Sequence, residues 1–139
     1  SAAMWVKVGF TKCESLPTFK IKIGNNHQTR LPFDSGASHF CTIQTSLLEK
    51  WEKADKDFKA CKVFDGYIDD FGALHDTSIH KIRTKAYKCD FAVKSFNVDD
   101  VLVLGSPNSD VASVGEEIFH YAVISFDPWH RKIIFQPYE

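Results

Sequence analysis

The residues best suited to chemistry lie in one octapeptide, 31–38, which reads Leu-Pro-Phe-Asp-Ser-Gly-Ala-Ser. Asp34 ends an apolar stretch and is followed by a hydroxyl residue and a glycine. Burial at the end of a strand penalises a charged carboxylate, and neighbouring backbone N–H groups can stabilise it. Burying such a charged carboxylate costs folding free energy, so its presence suggests a function, and acid–base catalysis is a common function of such a group. Asp-Ser-Gly is also frequent turn chemistry, so an Asx turn or a helix cap is the simpler interpretation of the tripeptide alone.

Histidines and cysteines do not form a metal-binding pattern. Cys13, Cys41, Cys61 and Cys89 are 28, 20 and 28 positions apart, without the close ligand pairs of a zinc site. We therefore predict no metal. Free thiols in a reducing compartment are favoured over two disulfides, which favours a cytoplasmic or nuclear location over secretion.

His39 lies five residues after Asp34 and has two interpretations, a polar strand position or a side chain that lines a substrate pocket. A Ser-His-Asp triad with Ser35 or Ser38 as nucleophile stays open, although no G-x-S-x-G sequence supports it.

Length and composition indicate one globular domain. The chain has 139 residues, of which 44% are hydrophobic and 25% charged, and its formal net charge is -1. This balance gives no global electrostatic reason to expect nucleic acid or an anionic membrane as a partner. No apolar run reaches the roughly 18 residues that a membrane-spanning helix needs.

Apolar and polar residues alternate along most of the sequence, which predicts a β-rich fold. The first such region, from Phe19 to Phe33 with turn residues at 24–27, predicts a hairpin. Apolar residues at three- and four-residue steps predict an amphipathic helix from Thr45 to Phe58 behind a Ser/Thr cap.

The second half predicts more strands. Cys61–Tyr67 is extended, Asp69–Gly72 interrupts it, and a second strand continues to about Val93, which together predict a long hairpin. The run 101–104, closed by Gly105, is typical of a strand buried on both faces. Residues 107–113 are predicted to form a polar loop and 116–121 a short helix or a strand entry. A hairpin of Ala122–Phe126 and Lys132–Phe135 closes the chain.

Several of these segments together resemble the retropepsins, the retroviral-type aspartic proteases. Asp34-Ser35-Gly36-Ala37 resembles their active-site sequence, and Val103-Leu104-Gly105 resembles the apolar strand ending in Leu-Gly that follows about seventy residues later. Residues 70–73 would form the flap hairpin between them. The tail, 117–135, resembles the short helix and closing hairpin of retropepsin-like domains and of single pepsin lobes.

The resemblance implies a mainly β, single-lobe, closed β-barrel-like aspartic protease fold with one or two short helices and a flap hairpin. The resemblance runs from about Pro17 to Phe135, and the retropepsin-like domain would comprise residues 17–139, with residues 1–16 as an N-terminal extension or edge strand. It also implies an aspartic endopeptidase without a cofactor, in which two carboxylates activate a water molecule. Because the chain holds one Asp-Ser-Gly, Asp34 would have to meet Asp34 of a second copy, or an equivalent aspartate of another chain or lobe.

Roles for other residues follow from the resemblance alone. Ser35 would hydrogen-bond across the dimer axis, Gly36 would let the backbone approach the carboxylates, and Gly105 would pack against the active-site loop. Flap or substrate contacts are expected from the residues Asp70, Phe71, Gly72, Ala73 and Ser38. Terminal strands such as Lys132–Phe135 are candidates for the dimer interface, because edge strands invite pairing.

The sequence departs from the family pattern at charged positions. Retropepsins often carry an acidic residue where this chain has Ser38, and an Arg or Asp where Ser106 follows the Leu-Gly. An inactive, retropepsin-derived dimerisation or peptide-binding module is therefore the alternative to an active protease. Expected partners are a second copy and a peptide or polyprotein substrate, with a retroelement or a domesticated cellular gene as the origin.

Overall fold

The fold is known from a computed structural model that describes residues 3–10, 16–73, 76–106 and 112–138. For residues 10, 64–73 and 76–83 it describes the course of the backbone only. Within these ranges there are eleven strands, one α-helix and one 3₁₀ helix. The strands are β1 (Met4–Lys7), β2 (Gly9–Phe10), β3 (Pro17–Ile23), β4 (His27–Pro32), β5 (Cys41–Gln44), β6 (Lys62–Ala73), β7 (Asp76–Val93), β8 (Phe96–Ser106), β9 (Ser113–Val114), β10 (Ala122–Asp127) and β11 (Lys132–Pro137). The α-helix, α1, is Thr45–Ala54, and the 3₁₀ helix is Glu116–His120.

The strands form two sheets. The larger runs in the order β2-β3-β7-β8-β5-β9, with β4 paired to β3 and β6 to β7, and the smaller runs β1-β11-β10. All described pairings except that of β5 with β8 join antiparallel strands. The prediction of a mainly β, barrel-like fold with short helices is confirmed.

Local sequence signals produced the β3–β4 hairpin at its predicted place. Ile23 pairs with His27, and Gly24 takes the left-handed backbone conformation with φ of 62°. This conformation costs glycine little and other residues more, because glycine has no Cβ. On β3, Phe19, Ile21 and Ile23 alternate with lysines and are almost fully buried. The hairpin therefore fixes which face of β3 joins the core.

The hydrophobic core on which these strands pack is rich in aromatic rings. Phe19 packs edge-on against Phe135, with ring centroids 5.6 Å apart, and Phe135 stacks on Phe96 at 5.5 Å. These contacts join β3, β11 and β8, so the two sheets share one core. Burying an aromatic side chain in this way contributes roughly 1.5–3 kcal/mol each.

Helix α1 is shorter than predicted. It ends at Ala54, because Asp55 is extended and its carboxylate accepts hydrogen bonds instead, from the backbone N–H of Asp57 and from the ring of His27. The residue before the helix is Gln44, whose side chain makes no capping hydrogen bond, so the predicted Ser/Thr cap is wrong. No helix in the described ranges is long and apolar enough to cross a membrane.

His27 connects the first hairpin to the end of α1. Its ring stacks on Trp51 with centroids 5.0 Å apart, lies 5.1 Å from the ring of Phe58, and its Nε2 is 2.9 Å from Asp55 Oδ2. The hydrogen bond to His27 lowers the pKa of Asp55 below its ordinary value. The pair therefore stabilises the fold while the carboxylate is ionised.

We expect Asp55→Asn to reduce stability in a pH-dependent way. Because the folded-state pKa of Asp55 is lowered, its contribution is complete above the unfolded pKa of about 3.9 and is lost as the pH falls through the folded-state value. Urea unfolding should show the largest difference from the parent between about pH 5 and 7. The exposed Asp99 supplies a control variant, Asp99→Asn. A difference for Asp55→Asn that stays constant to pH 2 would contradict this account.

Two predictions are wrong, one about the burial of a strand and one about which strand lies at the edge of a sheet. Residues 101–104 lie in β8, but Val101 and Val103 are buried while Leu102 is 49% exposed, so only one face of this strand is covered. Lys132–Phe135 lies in β11, which is the central strand of the three-stranded sheet. Its hydrogen-bonding edges are occupied by β1 and β10, so β1 and β10 are the outer strands of this sheet within the described ranges. The N-terminal segment thus supplies an edge strand, Met4–Lys7.

The long hairpin is formed by β6 and β7, with Lys62 opposite Ala86 at its base. The backbone stays extended through 69–72, where an interruption was predicted, and the pairing changes register between Asp70 and Ala73. Residues 74 and 75 at its end lie outside the described residues. The polar loop predicted at 107–113 also lies outside them as far as 111, and Ser113 belongs to β9.

Candidate active site

Asp34 lies two residues after the end of β4, where two distant parts of the chain meet. Phe33 forms a parallel bridge with Val114, and the backbone N–H of Asp34 donates to the carbonyl oxygen of Val114 at 2.9 Å. The chain then turns, and the Ala37 N–H donates to the Asp34 carbonyl at 3.1 Å. The position of the carboxylate is therefore fixed by the main chain on both sides.

The carboxylate itself takes part in an Asx turn. Its Oδ1 accepts a hydrogen bond from the Gly36 N–H at 3.0 Å. In the described part of the chain, Oδ2 receives no hydrogen bond, and the residue is half-buried. The Asx turn that the tripeptide suggests is thus present, and it leaves one carboxylate oxygen for another partner.

Ser35 and Gly36 are exposed, as is Ser38. They form the outer surface of the same loop, so they can contact a molecule placed against it. A Cβ atom at Gly36 would lie 3.4 Å from Asp34 Oδ1, which is ordinary van der Waals distance. The structure thus brings Asp34, Ser35, Gly36 and Ser38 together at one surface.

A glycine that the sequence reasoning missed supports this loop. A Cβ atom at Gly115 would lie 2.6 Å from the Ala37 carbonyl oxygen and closer still to that of His39. The Gly115 N–H donates to the Phe40 carbonyl at 2.9 Å, and the next N–H, of Glu116, donates to the Ala37 carbonyl at 2.8 Å. Only glycine fits this close approach between two backbones. Val114-Gly115, an apolar residue before a glycine, was the available sequence signal.

Gly105, which was predicted to pack against this loop, has other neighbours. Its carbonyl oxygen accepts a hydrogen bond from Thr84 Oγ1 at 2.6 Å, and a Cβ atom there would lie 2.8 Å from Thr45 Oγ1. The nearest contacts of Gly105 therefore join β8 to β7 and to the start of α1. The contact with the loop is made by Gly115.

His39 packs inside the loop. Its Nε2 lies 2.9 Å from Ser113 Oγ and 3.2 Å from the Ser113 carbonyl oxygen. Burial lowers the pKa of His39, although the Ser113 hydrogen bond and the charges of Asp34 and Glu117 oppose this effect. Through Ser113, the imidazole joins the loop to β9.

The arrangement gives no support to a serine triad. The hydroxyl that His39 contacts belongs to Ser113, which is 4% exposed, so a substrate carbonyl has no access to it. Ser35 and Ser38 are exposed and make no hydrogen bond to His39 among the described contacts. His39 thus has a structural position beside the carboxylate.

Aromatic rings flank the carboxylate. Phe33, the residue before Asp34, packs edge-on against Phe119 with ring centroids 5.7 Å apart, and Phe119 is 40% exposed. A cavity of about 130 Å³ is lined in part by Leu31 and Pro32 of β4 and by Leu47 of α1. The loop is therefore bordered by surfaces on which apolar side chains of a peptide can pack.

The four predicted flap residues, 70–73, lie at the far end of the β6–β7 hairpin. Asp70 is opposite Ser78, and Ala73 is opposite Asp76. Phe71 and Gly72 lie between these pairs, where the register changes. The backbone thus places all four residues near the end of one hairpin, as the resemblance implies.

Cysteine and metal chemistry find no support at this site. Burial raises the pKa of Cys89 to about 12 and that of Cys41 further, so both thiols stay protonated. Among the residues that the structure describes, no three His, Cys, Asp or Glu side chains are grouped to hold a metal ion.

Comparisons with other proteins add no assignment. No family model matches the chain, and no curated protein or solved structure is significantly similar to it.

Proposed function

We propose that the protein is an aspartic endopeptidase that acts as a homodimer. The observation that carries the proposal is the half-buried Asp34 carboxylate, held by the Gly36 N–H at one oxygen and placed on a loop whose outer residues are exposed. A carboxylate that is fixed but accessible can act on a water molecule, because its orientation is set before the substrate arrives.

One chain supplies half of the required chemistry. In the proposed dimer, the two Asp34 carboxylates face each other and share one proton, because two like charges at such a distance cannot both stay ionised. The ionised Asp34 removes a proton from the water as its oxygen attacks the scissile carbonyl carbon. The protonated Asp34 donates its proton to the carbonyl oxygen.

The reaction ends when the tetrahedral intermediate breaks its bond between carbon and nitrogen. The Asp34 that took the proton from water donates it to the nitrogen as it leaves, and the other Asp34, now ionised, takes a proton from one of the two hydroxyl groups, which restores the shared-proton state. Substrate is held in extended form, because strand-like hydrogen bonds to a hairpin recognise a backbone independently of its side chains. The β6–β7 hairpin is the element proposed for this role.

The three-stranded sheet offers surfaces for pairing. No described strand pairs with the outer edges of β1 and β10, and most exposed large apolar side chains of the described residues belong to this sheet or adjoin it. These side chains are Trp5, Tyr121, Val123, Phe126, Trp129 and Tyr138. Exposed strand edges and apolar patches favour association.

A subunit-mixing experiment tests the dimer requirement. At constant total protein, equal amounts of parent and Asp34→Asn chains are allowed to exchange, and cleavage of a peptide library is measured. If both Asp34 side chains are needed, only parent homodimers act, and activity falls to about one quarter of that of the parent alone. A matched mixture with Asp57→Asn, an exposed aspartate after α1, should keep full activity.

The other outcomes are equally informative. Activity of one half in the Asp34→Asn mixture would show that each chain acts alone, which contradicts the shared site. A parent that sediments as a dimer but cleaves no peptide between about pH 4 and 7 would instead support the inactive binding module.

A further inference from the structure

A second cavity, of about 400 Å³, lies between β1 and the outer face of β3, β4 and the end of β7. Of the nine described residues that line it, five are cations, namely Lys7, Lys20, Lys22, Arg30 and Lys94, and none is acidic. The chain as a whole carries a net charge of -1. The five cations are therefore a local concentration of positive charge, and we call the cavity that they line the basic cavity.

The register of β3 and β4 places these charges on one face. Lys20 is directly opposite Arg30, and Lys22 is opposite Gln28 and beside Ala92 of β7. Like charges directly opposite each other in a sheet are destabilising. Among the described residues, no carboxylate forms an ion pair with any of the five cations. An anion in the cavity would remove this repulsion.

Two of the cations are held in place without an anion. Arg30 Nη2 donates to the Thr18 carbonyl oxygen at 3.0 Å, and Lys94 Nζ donates to the Trp5 carbonyl oxygen at 2.8 Å. Each keeps further N–H donors, because a guanidinium has five and an ammonium three. The cavity therefore contains partly ordered donors, which lowers the entropy lost on binding.

We propose that the basic cavity binds a compact anion that carries several phosphate groups. Phosphate groups concentrate charge in a small volume, and Arg and Lys are their usual protein ligands. Among the described residues, no aromatic side chain lines the cavity, so these residues offer no platform on which a nucleic-acid base could stack. The volume also suits a small molecule better than a folded partner.

This site is separate from the Asp34 loop. None of its lining residues belongs to 33–39 or to β9, and Arg30 precedes Asp34 by four residues on an extended strand. The proposal therefore does not depend on the proposed peptidase activity. Asp34→Asn should leave anion binding unchanged, so the two proposals can fail independently.

Isothermal titration with sodium tripolyphosphate tests the proposal. In about 50 mM salt, we expect the parent to bind one tripolyphosphate, with an affinity that falls as salt is raised. The double variant Lys20→Gln/Lys22→Gln should bind at least about tenfold more weakly. Its matched control is Lys50→Gln/Lys56→Gln, which removes the same charge from exposed positions of α1 and the loop after it, and should bind within about twofold of the parent.

The replaced lysines are at least partly exposed, so we expect both double variants to keep the fold. Thermal unfolding of each variant checks this. Equal weakening in both double variants, or no saturable binding by the parent, would overturn the proposal. Parallel titrations use a twelve-nucleotide single-stranded RNA and an octaglutamate peptide. Tighter binding of either than of tripolyphosphate would overturn the assignment to a compact phosphate anion.

Discussion

Replacing Asp34 with asparagine is expected to abolish peptide cleavage and to leave the fold intact. The amide cannot take a proton from water, and loss of a general acid–base group lowers kcat/KM by about 10²–10⁴-fold. The amide keeps an oxygen that can accept the Gly36 N–H, so the loop keeps its Asx turn. Initial rates on a peptide library, with unfolding curves of both proteins, measure the two effects separately.

Asp57→Asn is the matched control, since Asp57 is exposed and lies in the loop after α1. It should cleave at the rate of the parent. An Asp34→Asn protein that also cleaves at that rate would show that another group activates the water. A variant that loses both activity and cooperative unfolding would show that Asp34 is needed for folding.

Replacing Gly115 with alanine is expected to cause the largest loss of stability among the glycines of the site. The added methyl group would meet two backbone carbonyl oxygens, of Ala37 and His39, which cannot move away as a side chain can. Overpacking of this kind costs about 1–3 kcal/mol in the free energy of unfolding. Because the same carbonyls belong to the Asp34 loop, cleavage should fall as well.

Gly36→Ala is the control for that experiment. Its Cβ atom would lie 3.4 Å from Asp34 Oδ1, and the residue is exposed, so we expect unfolding within about 0.5 kcal/mol of the parent. Denaturant unfolding of the two variants gives the comparison. Equal stability of Gly115→Ala and Gly36→Ala would contradict the close backbone approach at Gly115.

Features fixed by neighbouring residues could be predicted from the sequence. The β3–β4 hairpin follows from alternation and from Gly24, and the closing β10–β11 hairpin follows from the turn residues 127–130. The Asp34 loop also belongs to this class, because Asp-Ser-Gly forms its own turn. Local chemistry decided each of these structures, so one sequence was enough.

Features fixed by distant partners could not be predicted. Val103-Leu104-Gly105 and Ser113-Val114-Gly115 both place an apolar residue directly before a glycine, and only the three-dimensional pairing shows which one meets the loop. Helix α1 ends early because His27, on another element, binds Asp55. The basic cavity could not be predicted either, since its cations come from four distant parts of the sequence and the total charge is nearly neutral.

The position of Asp34 in a dimer is the most direct test of the proposed function. A crystal structure of the protein at a concentration where it sediments as a dimer gives the separation of the two Asp34 carboxylates. The proposal predicts oxygens about 3 Å apart with one water molecule between the side chains. Carboxylates on opposite surfaces of the dimer, or a monomer at every concentration, would contradict it.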